Sequence, residues 1–214
     1  MTRSDSMLAL PIVMMSMVFG SCGSSGNSST CGSAQTCGGD LVGSWKVTSS
    51  CLSAPPEAFG VEGCAMAPTD LSKVVIAGTA TFKADKTEDM AEMISGTMKI
   101  TFPSSCLVPS GSAVDCNEVT AGLTTAASKP GAAHSAATCQ AGGGGCICDV
   151  TLKPISMTKT LTYTTSAAVL TETESDGTVN QSTYCVSGTT LTQHADGKMM
   201  GNEGLTATIT LTKQ

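Results

Sequence analysis

The feature that most constrains this chain is a run of alternating threonine and apolar residues near its C-terminus, residues 158–212. Within residues 205–212, LTATITLT, apolar side chains and threonines alternate without a break. A period of two places one set on each face of a β-strand. Asp-Gly at 176–177 and Ser-Gly at 187–188 separate such runs, as hairpin turns do. The stretch is therefore predicted to form an antiparallel meander with one buried face and one solvated face.

The same alternation occurs earlier in the chain. Residues 74–84, 87–94 and 97–102 are predicted strands, with turns expected at Asp-Lys 85–86 and Ser-Gly 95–96. The middle segment, TEDMAEMI, is rich in Glu and Asp, which are poor strand formers, so a helical turn is the alternative there. Counting all the runs gives nine to ten strands. That number of short strands predicts an all-β fold, either an up-and-down barrel or a sandwich.

An apolar run of 14 residues occupies positions 7–20 near the start of the chain. A membrane-spanning helix needs about 20 apolar residues, so the run is too short to span a bilayer. Its length suits the hydrophobic core of a signal peptide. Residues 1–21 are therefore predicted to be a signal peptide that directs export.

The apolar run ends in VFGSC, with Cys22 as its last residue. This segment resembles the lipobox of bacterial lipoproteins, although Phe19 stands where an aliphatic residue is usual. The resemblance implies cleavage before Cys22, lipid (palmitate) attachment to its thiol, and a membrane partner through that anchor. Gly23, in place of an aspartate, implies the outer membrane. The alternative is an ordinary secretory signal whose cysteine forms a disulfide.

Residues 22–39 are rich in serine and glycine and contain no large apolar side chain. Such a composition is typical of a flexible tether, which a lipid-anchored protein needs between the membrane and its folded body. The folded domain is predicted to comprise residues 40–214.

The chain has eleven cysteines, and setting Cys22 aside leaves an even number. An even count in an exported chain predicts a disulfide framework. Cysteines two residues apart near position 147 could instead bind zinc, but zinc sites more often use C-x₂-C spacing with further ligands. We therefore expect disulfides and neither a metal nor a cofactor. The candidates are Cys31, Cys37, Cys51, Cys64, Cys106, Cys116, Cys139, Cys146, Cys148 and Cys185.

The folded domain opens with Gly43-Ser44-Trp45. This matches the Gly-x-Trp that begins the first strand of lipocalins, so the domain resembles that family. The resemblance implies a lipocalin-like antiparallel up-and-down barrel of about 8–10 strands. It also implies that Gly43 and Trp45 are structural residues at the barrel floor, and that the interior binds a small hydrophobic ligand.

A cysteine-rich insertion, residues 103–147, interrupts the meander. Asp115 and Glu118 have the spacing of a capping box, in which each satisfies a backbone N–H of the other. Cys116, Val119 and Leu123 then fall on one helical face. The insertion is predicted to contain a short helix at 116–127.

Several function classes are disfavoured by the sequence. The net charge of −6 and the lack of a basic run argue against a nucleic-acid partner. No nucleophile elbow, zinc-protease or calcium-loop motif occurs. His134 and His194 are interpreted as exposed loop histidines, and Glu172 and Glu174 as a solvated strand face. We therefore expect that the chain is not an enzyme.

The leading hypothesis is a noncatalytic, lipid-anchored cell-envelope β-barrel that binds a small hydrophobic ligand. Its weakness is the small number of aromatic residues, because ligand pockets are usually lined with them. A barrel filled by its own side chains would have no cavity. The alternative is a surface structural or protein-interaction module that uses the insertion 103–147, and a second alternative is an enzyme of unknown class.

The lipobox resemblance predicts that Cys22→Ala abolishes lipid attachment, because the alanine side chain offers no thiol to acylate. Metabolic labelling of the expressed protein with palmitate measures this directly. Equal labelling of the variant and the wild-type chain would contradict the prediction.

Overall fold

The computed structural model describes residues 31–32, 34–53, 69–107, 114–195 and 206–214, which form ten β-strands and one α-helix. The strands are β1 Gly43–Ser53, β2 Thr69–Phe82, β3 Thr87–Pro103, β4 His134–Gly142, β5 Gly145–Leu152, β6 Ile155–Ser166, β7 Val169–Thr173, β8 Val179–Ser187, β9 Thr190–Ala195 and β10 Thr206–Lys213; the helix is α1 Cys116–Ala127.

Eight of the described strands close into an antiparallel barrel, which confirms the predicted fold class. The order around the barrel is β1, β10, β9, β8, β7, β6, β3 and β2, and β2 pairs with β1 again. The predicted C-terminal meander supplies the consecutive neighbours β6 to β10. Because the first and last strands pair, the barrel wall has no open edge.

The structure corrects the predicted turn at Ser-Gly 95–96. Thr87–Pro103 is one continuous strand, β3, in which Ser95 and Gly96 pair with Val75 and Val74 of β2. Gly96 has a φ of +126°, and a side chain there would collide with the backbone carbonyl of Lys73. The glycine is thus needed because two backbones approach closely, and not to reverse the chain. The helical alternative for 87–94 is wrong for the same reason, since these residues belong to β3.

The C-terminal part of β3 extends beyond the barrel into a small lobe. There it pairs with β5, and β5 pairs with β4. The sheet and α1 enclose a second core, separate from that of the barrel, which includes Ile100, Phe102 and Val150. The lobe therefore occupies the chain between β3 and β6, and runs slightly past the predicted insertion end at 147.

Helix α1 spans Cys116–Ala127, as the capping box predicted. The Asp115 carboxylate accepts hydrogen bonds from the backbone N–H groups of Asn117 and Glu118 at 2.8 and 2.9 Å. The Glu118 carboxylate accepts one from the Asp115 N–H at 2.8 Å. Among the described residues, no helix is long and apolar enough to cross a membrane.

All nine cysteines that the structure describes are disulfide-bonded. Cys106 is one of the nine, and Cys22 and Cys64 lie outside the described residues. Since Cys146 and Cys148 each bond to a different partner, they do not act as metal ligands. The described pairs are Cys31–Cys51, Cys37–Cys185, Cys116–Cys146 and Cys139–Cys148.

The described part of the predicted tether lies on the barrel surface. Cys31 and Cys37 are joined by disulfides to β1 and β8. Gly38 adds backbone hydrogen bonds to Tyr184 and Val186 of β8 at 3.0 and 2.8 Å. The described residues of the predicted tether are therefore fixed to the barrel at Cys31, Cys37 and Gly38. The predicted signal peptide, 1–21, and the residues up to 30 lie outside the described residues.

One end of the barrel is filled by aromatic side chains around Trp45, which is fully buried. Its indole N–H donates to the Leu41 carbonyl at 2.7 Å, and the Lys213 ammonium lies 5.2 Å from its ring centroid. Phe82 and Tyr163 contact each other edge to face, with ring centroids 5.2 Å apart. We call this end, which Leu41 and these three aromatic residues close, the floor.

Trp45→Ala is expected to lower the free energy of unfolding by about 3–5 kcal/mol, because it removes a large buried side chain from the floor and leaves a cavity. Chemical denaturation followed by circular dichroism measures the change. Trp45→Phe keeps an aromatic ring and serves as the milder control. A loss below about 1 kcal/mol for the alanine variant would show that the floor does not depend on this side chain.

Candidate functional site

The inward face of the barrel changes from apolar at the floor to polar in the middle. On β3, Glu88 and Glu92 flank the buried core residue Met90, so all three share the inward face. On β9, Gln193 lies between the core residues Leu191 and Ala195. On β7 and β8, the same alternation places further polar residues on the inward face. The complete set, which we call the polar centre, is Glu88, Glu92, Glu172, Asn180, Ser182 and Gln193, all buried.

The strand order makes these side chains converge from opposite walls. Around the eight-strand ring, β9 lies four strands from β3 in either direction, so Gln193 and Glu92 project from opposite walls of the barrel. Glu172 on β7 and Asn180 on β8 are direct partners in register and lie between those two walls. The polar centre thus occupies the middle of the barrel and is not a patch on one strand.

Several polar atoms of the centre form no hydrogen bond with the described residues. Gln193 is 0% exposed, yet neither its amide oxygen nor its amide nitrogen has a partner there. The same holds for Oε2 of Glu92, Oδ1 of Asn180 and Oγ of Ser182. Each buried polar group left unsatisfied costs about 1–3 kcal/mol of folding free energy. The barrel core therefore carries polar groups that weaken the fold.

The electrostatics of the centre are acidic. Burial raises the pKa of the Glu92 carboxyl well above its ordinary value, and the negative charge of Glu172 raises it further. Among the described residues, no lysine, arginine or histidine is buried. Lys159 lies on the inward face of β6, but its ammonium pairs with Glu174 at 2.5 Å and both side chains are partly exposed. The protein thus supplies several buried carboxyls and no buried cation in its described part.

The structure corrects two interpretations made from the sequence. Glu172 was expected on a solvated strand face, but it is 2% exposed because β7 turns this face into the barrel. His134 and His194 were expected in loops, but both lie in strands. His134 Nε2 is 2.8 Å from the Leu123 carbonyl oxygen, and His194 Nδ1 is 2.7 Å from the Thr208 hydroxyl.

The other predicted site residues lie away from the polar centre. Gly43 and Trp45 are near the floor, at the start of β1. The cysteines described above are in disulfides, and the predicted lipid attachment residue Cys22 is outside the described residues. The sequence reasoning therefore selected structural residues and missed the polar centre.

A signal for part of the centre was present in the sequence. The larger apolar residues Ile76 and Phe82 in β2, and Ile100 and Phe102 in the C-terminal part of β3, are even-numbered, which indicates that even-numbered positions face inward. If that phase continues back through TEDMAEMI, it places Glu88 and Glu92 on the inward face with Met90 between them. The expected turn at 95–96 concealed this continuity, because a turn resets the phase.

Comparison with known proteins found no match to a protein-family model, a curated protein or a solved structure. Within the described residues, no group of three or more histidine, cysteine, aspartate or glutamate side chains is arranged to hold a metal ion.

The raised pKa of Glu92 predicts that stability falls as the pH rises. In the unfolded chain the carboxyl ionises near its ordinary value of 4.5, whereas in the folded barrel it keeps its proton to higher pH. Its contribution is therefore complete below about pH 4.5 and is lost as the pH rises toward the folded pKa, at up to about 1.4 kcal/mol per pH unit.

Glu92→Gln, which cannot ionise, is expected to remove this fall and to be more stable than wild type at pH 7. Urea denaturation from pH 4.5 to 8 measures the effect. Asp149→Asn removes a carboxylate from an exposed pair with Lys99 and is expected to keep the wild-type slope. Superimposable stability profiles for wild type and Glu92→Gln would contradict the prediction.

Proposed function

We propose that this chain is an exported, lipid-anchored, noncatalytic cell-envelope protein that binds a small polar ligand inside its barrel. The observation that carries the proposal is the Gln193 side chain, which is fully buried while both polar atoms of its amide lack a partner among the described residues. Natural proteins rarely bury such groups without a reason. A ligand with one hydrogen-bond donor and one acceptor would satisfy both atoms.

The polar lining favours a different ligand from the hydrophobic one expected from the sequence. An apolar molecule next to Gln193 and Glu92 would leave their polar atoms desolvated and without partners, which is unfavourable. A polar molecule would replace the hydrogen bonds to water that those atoms lose on folding. The proposal therefore keeps the interior as the binding site and replaces the hydrophobic ligand with a polar one.

Because the floor is filled, a ligand is expected to enter from the opposite end of the barrel. Trp45, Phe82 and Tyr163 fill the floor. The Leu41 carbonyl, on the segment before β1, accepts a hydrogen bond from the Trp45 indole N–H. At the other end, the small side chains of Ala195 and Ala207 face each other on β9 and β10. Small side chains leave more room than the aromatic residues of the floor, so a ligand would enter there.

The disulfides support export, because such bonds form and persist in oxidising compartments. The lipobox resemblance at Cys22 supports the anchor. Cys31 is bonded to Cys51, two residues before the end of β1 and on the side away from the floor. A chain of nine residues from Cys22 to Cys31 spans at most about 30 Å. An anchor at Cys22 would thus hold the entry end close to the membrane.

Two methionines of β3 allow a direct test. Met90 is buried in the barrel core, whereas Met93 on the same strand is exposed on the outer face. A library of small polar fragments is screened against the folded mature chain with ¹³C-methyl-methionine NMR. Interior binding shifts the Met90 methyl resonance in a saturable way and leaves that of Met93 unchanged. Gln193→Leu should lower the affinity of the barrel for those fragments.

The proposal would be wrong if no fragment in the library shifted the Met90 resonance. It would also be wrong if every active fragment shifted Met90 and Met93 together, since that pattern indicates surface binding or a change in the fold. A fragment that binds equally well to Gln193→Leu would remove the role assigned to this amide.

A further inference from the structure

We infer that the ligand of the polar centre is a small organic cation, a protonated amine whose ammonium group binds between Glu92 and Glu172. The inference rests on the proposed function and specifies the chemical class of its ligand. It follows from three properties of the interior: the kind of hydrogen-bonding atoms left without partners, the sign of the buried charge, and the apolar residues beside the carboxyls.

The unpartnered atoms are mainly acceptors. They include Oε2 of Glu92, Oδ1 of Asn180 and the lone pairs of Oγ of Ser182, all on residues that are at least nine-tenths buried. An alkylammonium group carries three N–H donors and no acceptor. Asn180 is the register partner of Glu172, so a carboxylate and an amide oxygen lie side by side on adjacent strands. The centre thus offers the acceptors that an ammonium group needs.

The charge of the interior favours the same ligand as the unpartnered acceptor atoms do. Glu172 disfavours ionisation of Glu92, and the described chain contributes no buried basic group to compensate. Lys159 is not among the groups that shift the pKa of Glu92, and its ammonium is bonded to Glu174. A ligand cation between Glu92 and Glu172 would favour the ionised form of both, because Coulomb attraction is strong where water is excluded. An anionic ligand would be repelled by the same groups.

A metal ion fits these residues less well. Calcium takes six to eight oxygen ligands, and magnesium requires near-octahedral geometry. In the described part of the chain, no cluster of three acidic, histidine or cysteine side chains has the geometry to hold a metal. An ammonium group needs only two or three acceptors, which the centre provides.

The neighbours of the carboxyls indicate the rest of the ligand. Met90 lies between Glu88 and Glu92 on β3, and Leu170 precedes Glu172 by two residues on β7. These core side chains would contact a short apolar body attached to the ammonium group. Both polar atoms of the Gln193 amide, on the opposite wall, remain available for a hydroxyl or amide at the far end of the natural ligand.

The test uses three probes of similar shape and different charge: phenethylamine, 2-phenylethanol and phenylacetate. Each is titrated at neutral pH into the folded mature chain, and the Met90 and Met93 methyl resonances are followed. Phenethylamine is expected to bind at least tenfold more tightly than 2-phenylethanol and to shift Met90 alone. Phenylacetate is expected to leave Met90 unchanged.

Two variants separate a specific site from general electrostatic attraction. Glu92→Gln should lower the affinity for phenethylamine at least tenfold and leave the affinity for 2-phenylethanol unchanged. Asp149→Asn makes the same carboxyl-to-amide replacement in the surface pair with Lys99 and should leave both affinities at the wild-type value. Retained Trp45 fluorescence verifies that each variant is folded.

The cation inference is overturned if phenethylamine binds no better than 2-phenylethanol, if phenylacetate binds most tightly, or if the two variants weaken phenethylamine equally. A Met90 shift with a neutral probe in any of these cases would still support an interior binding site. If none of the three probes shifts Met90, the cation inference fails, and the fragment screen decides separately whether the barrel binds ligands.

Discussion

The pairing of β1 with β10 is the constraint on which the rest of the structure depends. The ladder runs from the Trp45–Lys213 pair to the Ser53–Thr206 pair and joins the two ends of the folded domain. It converts an open meander into a closed wall, so that every inward side chain is enclosed by the others. The burial of Trp45 at the floor and of the polar centre in the middle both follow from this closure.

Disulfides and a second core compensate for a barrel interior that is only partly apolar. The bridges from Cys31 and Cys37 fix the N-terminal segment to the wall, and those of Cys116 and Cys139 hold α1 and the β4–β5 hairpin together. A disulfide typically contributes about 2–4 kcal/mol, which is comparable to the cost of one or two unsatisfied buried polar groups. The covalent framework thus allows the barrel to keep buried polar groups that weaken folding and that we propose to serve binding.

The elements that the sequence predicted well are those with a local physical cause. The C-terminal meander follows from the alternation of threonine and apolar residues, and α1 follows from the capping box at Asp115 and Glu118. The failures concern residues whose role depends on distant neighbours. Gly96 resembles a turn glycine until β2 is placed against it, and the burial of Glu172 depends on which face of β7 the closed barrel encloses. Neither neighbour can be identified from the local sequence.

The disulfide partners and most of the polar centre were beyond prediction for a related reason. Parity predicted a disulfide framework, but pairing depends on which strands meet. Gln193 and Glu92 lie about 100 positions apart in the chain and line the same interior only because β9 and β3 form opposite walls of the ring. A single polar residue in a strand predicts a solvated position, so only the closed fold could reveal six of them converging.

The most direct test of the account is the free energy of unfolding of Gln193→Leu in the absence of added ligand. If the polar centre serves binding at the expense of folding, replacing an unsatisfied buried amide with an apolar side chain of similar size should stabilise the barrel by about 1–3 kcal/mol. Urea denaturation of the two proteins at the same pH measures the difference. A variant that is clearly less stable than wild type would show that Gln193 supports the fold, and would contradict the central claim.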